Sequence, residues 1–229
     1  MTVITISAPV GSGKTSIASY LGKVLETPVY YEPVSEKDNP ILKLYYKDQS
    51  KYGFLQQIFF LNKRFSQIKK AYETKNAIID SSIYTDDIFL HRLYKDGKVT
   101  EQEVLVYEDL FNNIMEEIDG LPYKKKPDLM ISIDLDIDTE LDRIYNRGRG
   151  FEQDDSLKEY WQGLLDDYKA WISTYDLSPV YVIDGNKDDF VNDKESRNKV
   201  ITEIIDKLQS IGQLSEDESN KAKSRISSL

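Results

Sequence analysis

Five short apolar runs mark the chain: Val3–Ser7, Pro28–Tyr31, Ala77–Ile79, Leu129–Ile133 and Val180–Ile183. Their length and their valine and isoleucine content predict strands. Longer stretches between them repeat apolar residues at helical spacing: Thr15–Leu25, Leu42–Glu73, Ser82–Tyr94, Glu101–Glu117, Asp138–Asn146, Ser156–Thr174 and Lys194–Ile211. Strands that alternate with helices predict an α/β fold, a five-stranded parallel sheet flanked by helices on both faces. No internal repeat and no Pro/Gly/Ser-rich linker interrupts the pattern, so residues 1–211 read as one domain. Residues 212–229 are polar and lack aromatics, which predicts a frayed or disordered tail.

In such a sheet, ligands bind at the carboxyl ends of the strands. The first strand runs into Ala8, Pro9, Val10, Gly11, Ser12, Gly13, Lys14 and Thr15, with Ser16 next. Glu32 follows the second strand, Asp80 the third, Asp134 and Asp136 the fourth, and Asp184 the fifth. One rim is therefore expected to carry a phosphate loop and several carboxylates, the layout of a metal-nucleotide site.

The octapeptide Ala8–Thr15 fits the Walker A pattern, with alanine in the first glycine's place. Gly11 and Gly13 let backbone N–H groups turn towards phosphates. Lys14 supplies a point charge, and the Thr15 hydroxyl is a Mg²⁺ ligand. The N-terminus of the following helix adds its positive end. Asn186-Lys187-Asp188-Asp189 matches a guanine-reading motif, yet no glycine in the chain has aspartate three residues before it, so a GTPase switch is excluded.

Composition narrows the chemistry. The 229 residues are 40% hydrophobic, enough for a sizeable core, and carry a formal net charge of −10. That charge repels polyanions, so neither nucleic acid nor an anionic membrane is an expected partner. No apolar run is long enough to cross a bilayer, and no signal-like pattern precedes the first strand. The chain has no cysteine, which excludes disulfides and thiolate chemistry and suits the cytoplasm. His91 is the single histidine, so a histidine triad is impossible and a general base is expected to be a carboxylate. Pro33 stops the second strand, so Glu32 is expected at the rim; an N-cap or surface role for it stays open.

Against this acidic background, Arg143, Arg147 and Arg149 cluster within seven residues. Arg143 and Arg147 share a helix face, and Gly148 can end the helix. Guanidinium forks suit phosphate, so the cluster predicts an Arg-rich lid over a transferring phosphoryl group.

These residues resemble the deoxynucleoside kinase family, and within it the deoxyadenosine and deoxyguanosine kinases of Gram-positive bacteria. The similarity runs to about Phe190. It is carried by the phosphate loop, Glu32-Pro33-Val34, Tyr46 to Arg64, Asp80-Ser81-Ser82-Ile83-Tyr84, and the lid with Glu152. The resemblance implies a P-loop kinase fold and transfer of phosphate from ATP, with Mg²⁺, to the 5′-hydroxyl of a deoxynucleoside. It implies Glu32 as proton acceptor, with Asp80 the rival for that role and a Mg²⁺ ligand beside Thr15. Tyr46 and Glu152 would hold the 3′-hydroxyl, and Gln57, Arg64 and Asp86 would read the base, with Phe89 stacked nearby. Asp188, Asp189 and Phe190 would pass near the ATP adenine. A homodimer through long helices is implied as well, with Ser82–Tyr94 and Glu101–Glu117 as candidates.

The residues alone leave Gln57 open between base reader and core amide, and Arg64 with Asp86 open between reader and plain salt bridge. Ser81 departs from the family, which usually has arginine there. Its loss is expected to leave negative charge uncompensated around Glu32, Asp80 and Asp86 unless another basic group, such as Arg147 or Arg149, covers it. Two other readings remain: a nucleoside monophosphate kinase of thymidylate-kinase type, and a non-catalytic ATP-binding partner subunit.

Overall fold

The computed structural model describes residues 2–35, 37–121 and 126–227. Five parallel strands form one sheet: β1 (Val3–Ser7), β2 (Val29–Tyr30), β3 (Ala77–Asp80), β4 (Leu129–Asp134) and β5 (Val180–Asp184). Their spatial order is β2-β3-β1-β4-β5, so β1 lies in the middle. All five residues of β1 are buried, as a strand covered on both faces requires.

Side chains alternate between two cores. On one face, Ile4, Ile6, Ile78 and Ile131 pack against α1 (Lys14–Leu25), α8 (Lys194–Ser210) and α9 (Glu216–Ile226). On the other, Val3, Ala77 and Ile79 meet α2 (Leu42–Lys47), α3 (Gln49–Thr74), α4 (Asp86–Lys95), α5 (Glu101–Gly120) and α7 (Lys158–Thr174). The short helix α6 (Ile137–Asn146) runs from β4 towards the phosphate loop.

Two expectations are corrected. The helix expected over Leu42–Glu73 is two helices, because Asp48 leaves helical geometry (φ −153°) and its carboxylate accepts from Lys51 N at 3.1 Å, capping α3. The segment 212–229, expected to fray, holds α9. A capping box between Ser215 and Glu218 starts it, and Ser219, Ala222 and Ile226 bury one face against α1 and α8. Residues 228–229 lie outside the described residues, as do positions 1, 36 and 122–125 of the expected domain.

Candidate active site

The site is built where β1 ends. Gly11 (φ +81°) and Gly13 (φ +96°) take left-handed conformations that fold the loop back over α1. A Cβ at Gly13 would lie 2.7 Å from Phe190 Cε2, and one at Gly11 would lie 2.9 Å from Ile144 Cγ1, so the loop is packed tightly as well as turned. Lys14 Nζ donates to the carbonyls of Ala8 (2.8 Å) and Pro9 (2.9 Å). Burial lowers the Lys14 pKa, opposed by the charges of Glu32 and Asp80.

Beside the lysine, the Thr15 hydroxyl donates to Asp80 Oδ2 at 2.7 Å. Asp80 is buried, and its Oδ1 has no hydrogen-bond partner among the described residues. Burial, then the charge of Glu32, pushes the Asp80 pKa up. A hard cation would relieve both conditions. One threonine hydroxyl and one carboxylate, with phosphate oxygens completing the shell, is a donor set that suits Mg²⁺.

The loop opens into a cavity of about 500 Å³. Its lining includes residues 10–16, Glu32, Tyr46, Gln57, Ser81, Phe89, Arg143, Arg147, Arg149 and Glu152. The structure therefore gathers donor-side and acceptor-side candidates on one space. Glu32 lies just beyond β2, and Gln57 faces inward from α3 with 2% exposure. Tyr46 stacks on Phe151 with ring centroids 5.6 Å apart. Burial, then the charge of Glu152, raises the Tyr46 phenol well above its ordinary range. Phe89 meets Tyr168 edge to face at 6.0 Å.

Arg64 and Asp86 lie behind the cavity wall, both buried and paired with each other. The same guanidinium pairs with Glu32 and donates to Ser81 Oγ at 2.8 Å. The expected uncompensated charge around Ser81 is thus met by Arg64 rather than by the lid. Arg147 and Arg149 both pair with Glu152, the latter at 3.5 Å.

Several expectations land elsewhere. Arg143 spends its fork on backbone, donating to Ser12 O (2.9 Å) and Gly185 O (2.7 Å), with its guanidinium over the Phe190 ring. It braces the phosphate loop, although its side chain still borders the cavity. Of Asp188, Asp189 and Phe190, none lines the cavity: Phe190 is fully buried in the core, Asp188 pairs with Lys199, and Asp189 accepts from Asn192. Val191 and Asn192 border the cavity instead. Asp134 pairs with Lys169 and Asp184 with Lys187, so those rim acids do not join Glu32 and Asp80. Asn186 Oδ1 accepts from Asp136 N, which gives the guanine-like tetrapeptide a turn-forming role.

The sequence reading missed three features. Tyr45 and Tyr160 share a hydroxyl–hydroxyl bond at the cavity wall, signalled only by the unusual tyrosine content. Phe60 lies under Arg64, 4.7 Å from its guanidinium carbon. Glu140 of α6 is fully buried with both carboxyl oxygens unpartnered among the described residues, and burial pushes its pKa up to about 8.

Known proteins resemble this chain in sequence and fold. A family model described as deoxynucleoside kinase matches residues 4–209. The chain is 44% identical over 220 residues to a deoxyguanosine kinase of Lactobacillus johnsonii, covering 95% of this chain and 97% of that one. It is 44% identical over 216 residues to a deoxyadenosine kinase of Lactobacillus acidophilus, covering 93% and 99%. A solved structure of deoxyadenosine kinase from M. mycoides with bound dATP superposes with a TM-score of 0.74 at 30% identity, over 88% of this chain and 98% of that one. With the family model matching residues 4–209 and relatives at 44% identity, on a fold of five parallel strands, the chain belongs to the deoxynucleoside kinase family.

Proposed function

We propose that this kinase transfers the γ-phosphoryl group of ATP to the 5′-hydroxyl of a deoxynucleoside, a purine one, with deoxyadenosine first. The observation that carries the reading is that the phosphate loop and Glu32 open onto one cavity whose other walls carry Gln57, Tyr46 and Glu152. The names of the 44%-identical relatives, deoxyguanosine and deoxyadenosine kinase, support a purine.

The roles follow from position. The backbone of residues 10–15 and the Lys14 charge hold the phosphates. When bound at Thr15 and Asp80, Mg²⁺ supplies charge neutralisation at the phosphate oxygens. Glu32 takes the 5′-hydroxyl proton as the new O–P bond forms and the bond from the γ-phosphorus to the ADP oxygen breaks. Tyr46 and Glu152 hold the sugar, and Gln57 offers an amide to the base edge. Arg147 and Arg149 exchange Glu152 for phosphate oxygens on lid closure.

Residues 1–211 form the catalytic domain in this reading, and α9 packs on it. Leu105 (59% exposed) and Val106 (58%) on α5, with Leu110, leave an apolar face that suits a homodimer. Among the described residues no helix is long and apolar enough to cross a membrane, and a cysteine-free chain suits the cytoplasm.

The deciding experiment measures ADP release with each deoxynucleoside and each deoxynucleoside monophosphate. Purine deoxynucleosides should turn over fastest. Preference for thymidine would remove the purine assignment, and turnover of monophosphates alone would favour the thymidylate-kinase type. No release with any acceptor would favour a non-catalytic subunit.

A further inference from the structure

Three acceptors from separate parts of the chain meet on one guanidinium. Arg64 Nη2 donates to Glu32 Oε1 and, at 2.8 Å, to Ser81 Oγ, while Nη1 pairs with Asp86 Oδ1. Arg64, Ser81 and Asp86 are 3%, 5% and 1% exposed, whereas the Glu32 side chain is 20% exposed and faces the cavity. The guanidinium is thus fixed by two buried groups, Ser81 and Asp86, and Glu32 is its one carboxylate partner bordering the ligand space.

Ser81 also holds φ at +118°, a conformation that side chains other than glycine rarely adopt. Such backbone persists only where the surroundings over-determine it. The bond from Arg64 to Ser81 Oγ is one such fastening, and a small side chain at 81 leaves room for the guanidinium.

Lys14 does not take this carboxylate: its Nζ donates to the carbonyls of Ala8 and Pro9, and the cation that pairs with Glu32 is Arg64.

We propose that Arg64, locked by Ser81 and Asp86, is the positioning residue of Glu32, holding Oε1 and leaving Oε2 as the atom that accepts the 5′-hydroxyl proton. This rests on Glu32 being the proton acceptor, as proposed above. Replacing Arg64 strands two carboxylates and can unfold the chain, so the primary variant is Ser81→Ala, which removes one hydrogen bond and little volume.

The test measures kcat and the KM for ATP and for the deoxynucleoside in wild type, Ser81→Ala, Glu32→Gln and the double variant. Ser81→Ala should lower kcat by about tenfold, the rate equivalent of a hydrogen bond to a charged group, with the KM for ATP within about twofold. In the Glu32→Gln background that loss should vanish, because no proton acceptor remains to be positioned. Arg64→Lys, checked for folding by thermal denaturation, keeps the charge but cannot span three acceptors, and should lose more kcat than Ser81→Ala. An unchanged kcat in Ser81→Ala, or the same tenfold loss in the Glu32→Gln background, overturns the proposal. Glu32→Gln turning over at the wild-type rate would instead remove Glu32 as acceptor, and the proposal with it; the slow or normal rate of that single variant tells the two failures apart.

Discussion

The two faces of the sheet are built from different materials. The face carrying the phosphate loop is aliphatic: Ile4, Ile17, Leu21, Ile131 and Ile201 fill it, and among the described residues Phe190 is its single fully buried ring. The face carrying the cavity buries Tyr45, Tyr72, Tyr107, Tyr160, Trp161 and Tyr168. Aliphatic side chains need only shape, so the donor side is a close-packed platform. Buried phenols need partners as well as space. Tyr45 bonds Tyr160, and Tyr72 bonds Tyr84 at 3.4 Å. The acceptor side is therefore specified by polar contacts as well as by packing, which suits a surface that must tell one nucleoside from another.

The largest expected effect separates chemistry from both cores. Glu32→Gln keeps the shape of the side chain and removes the proton acceptor, so kcat should fall by about 10²–10⁴-fold, measured at a temperature where thermal denaturation shows the variant folded. If kcat holds while Asp80→Asn is inactive even at high Mg²⁺, the rival acid is the base.

Next comes the aliphatic platform. Phe190→Ala should destabilise the fold by about 3–5 kcal/mol in urea titration and raise the KM for ATP, because Gly13 of the phosphate loop packs on that ring. A loss under about 1 kcal/mol would show that the ring is not the keystone of that face.

One buried acid breaks the aliphatic pattern, and pH reveals it. Burial raises the Glu140 carboxyl to about 8, opposed by the charges of Lys14, Arg147 and Lys169. The folded chain then holds a proton that the unfolded chain has released, from the ordinary carboxyl range up to about 8. Stability should therefore fall as pH rises through that window, by at most about 1.4 kcal/mol per unit from this group, and level off above it. Denaturation at several pH values should show a flatter slope for Glu140→Gln; an unchanged slope would assign the proton elsewhere, with Asp80 and Asp87, both also raised by burial, the next groups to replace.

The smallest effect probes the aromatic face. Tyr160→Phe removes the partner of the Tyr45 hydroxyl and should destabilise by about 1 kcal/mol. Because Tyr45 lines the cavity, the KM for the deoxynucleoside should rise while that for ATP stays put. Equal changes in both would mean the two faces are less independent than their composition implies.

What could be read from the sequence follows the same divide. Gly11, Gly13, Lys14 and Thr15 act within one turn of chain, so spacing alone places them. All five strands follow from apolar runs, although β2 pairs over only two residues. The split at Asp48 and the helix α9 were signalled by local caps, yet low apolar content outweighed the Ser215–Glu218 box. Nothing in spacing brings Arg64 to Glu32 and Ser81, since only the packing of α3 against β3 joins them. For Arg143 and Phe190, spacing does not show that a guanidinium and a ring near a phosphate loop also serve the loop's own backbone and core.

The placement of α1 has a kinetic side. That helix carries Lys14 and Thr15 in its first turn and is enclosed by the sheet, α8 and α9. Arg225 of α9 donates to Val24 O at 3.0 Å and pairs with Glu26 at 2.6 Å, joining residues about two hundred positions apart. Amide protons on the buried side of α1, at Ile17, Ala18, Leu21 and Val24, are expected to exchange mainly when the aliphatic unit opens. Around Gly148 the chain is exposed, and its flanking arginines are half-exposed partners of the buried Glu152, so amides there are expected to exchange through local opening. Hydrogen exchange is thus expected to run on two clocks, slow in the buried body of α1 and fast around Gly148.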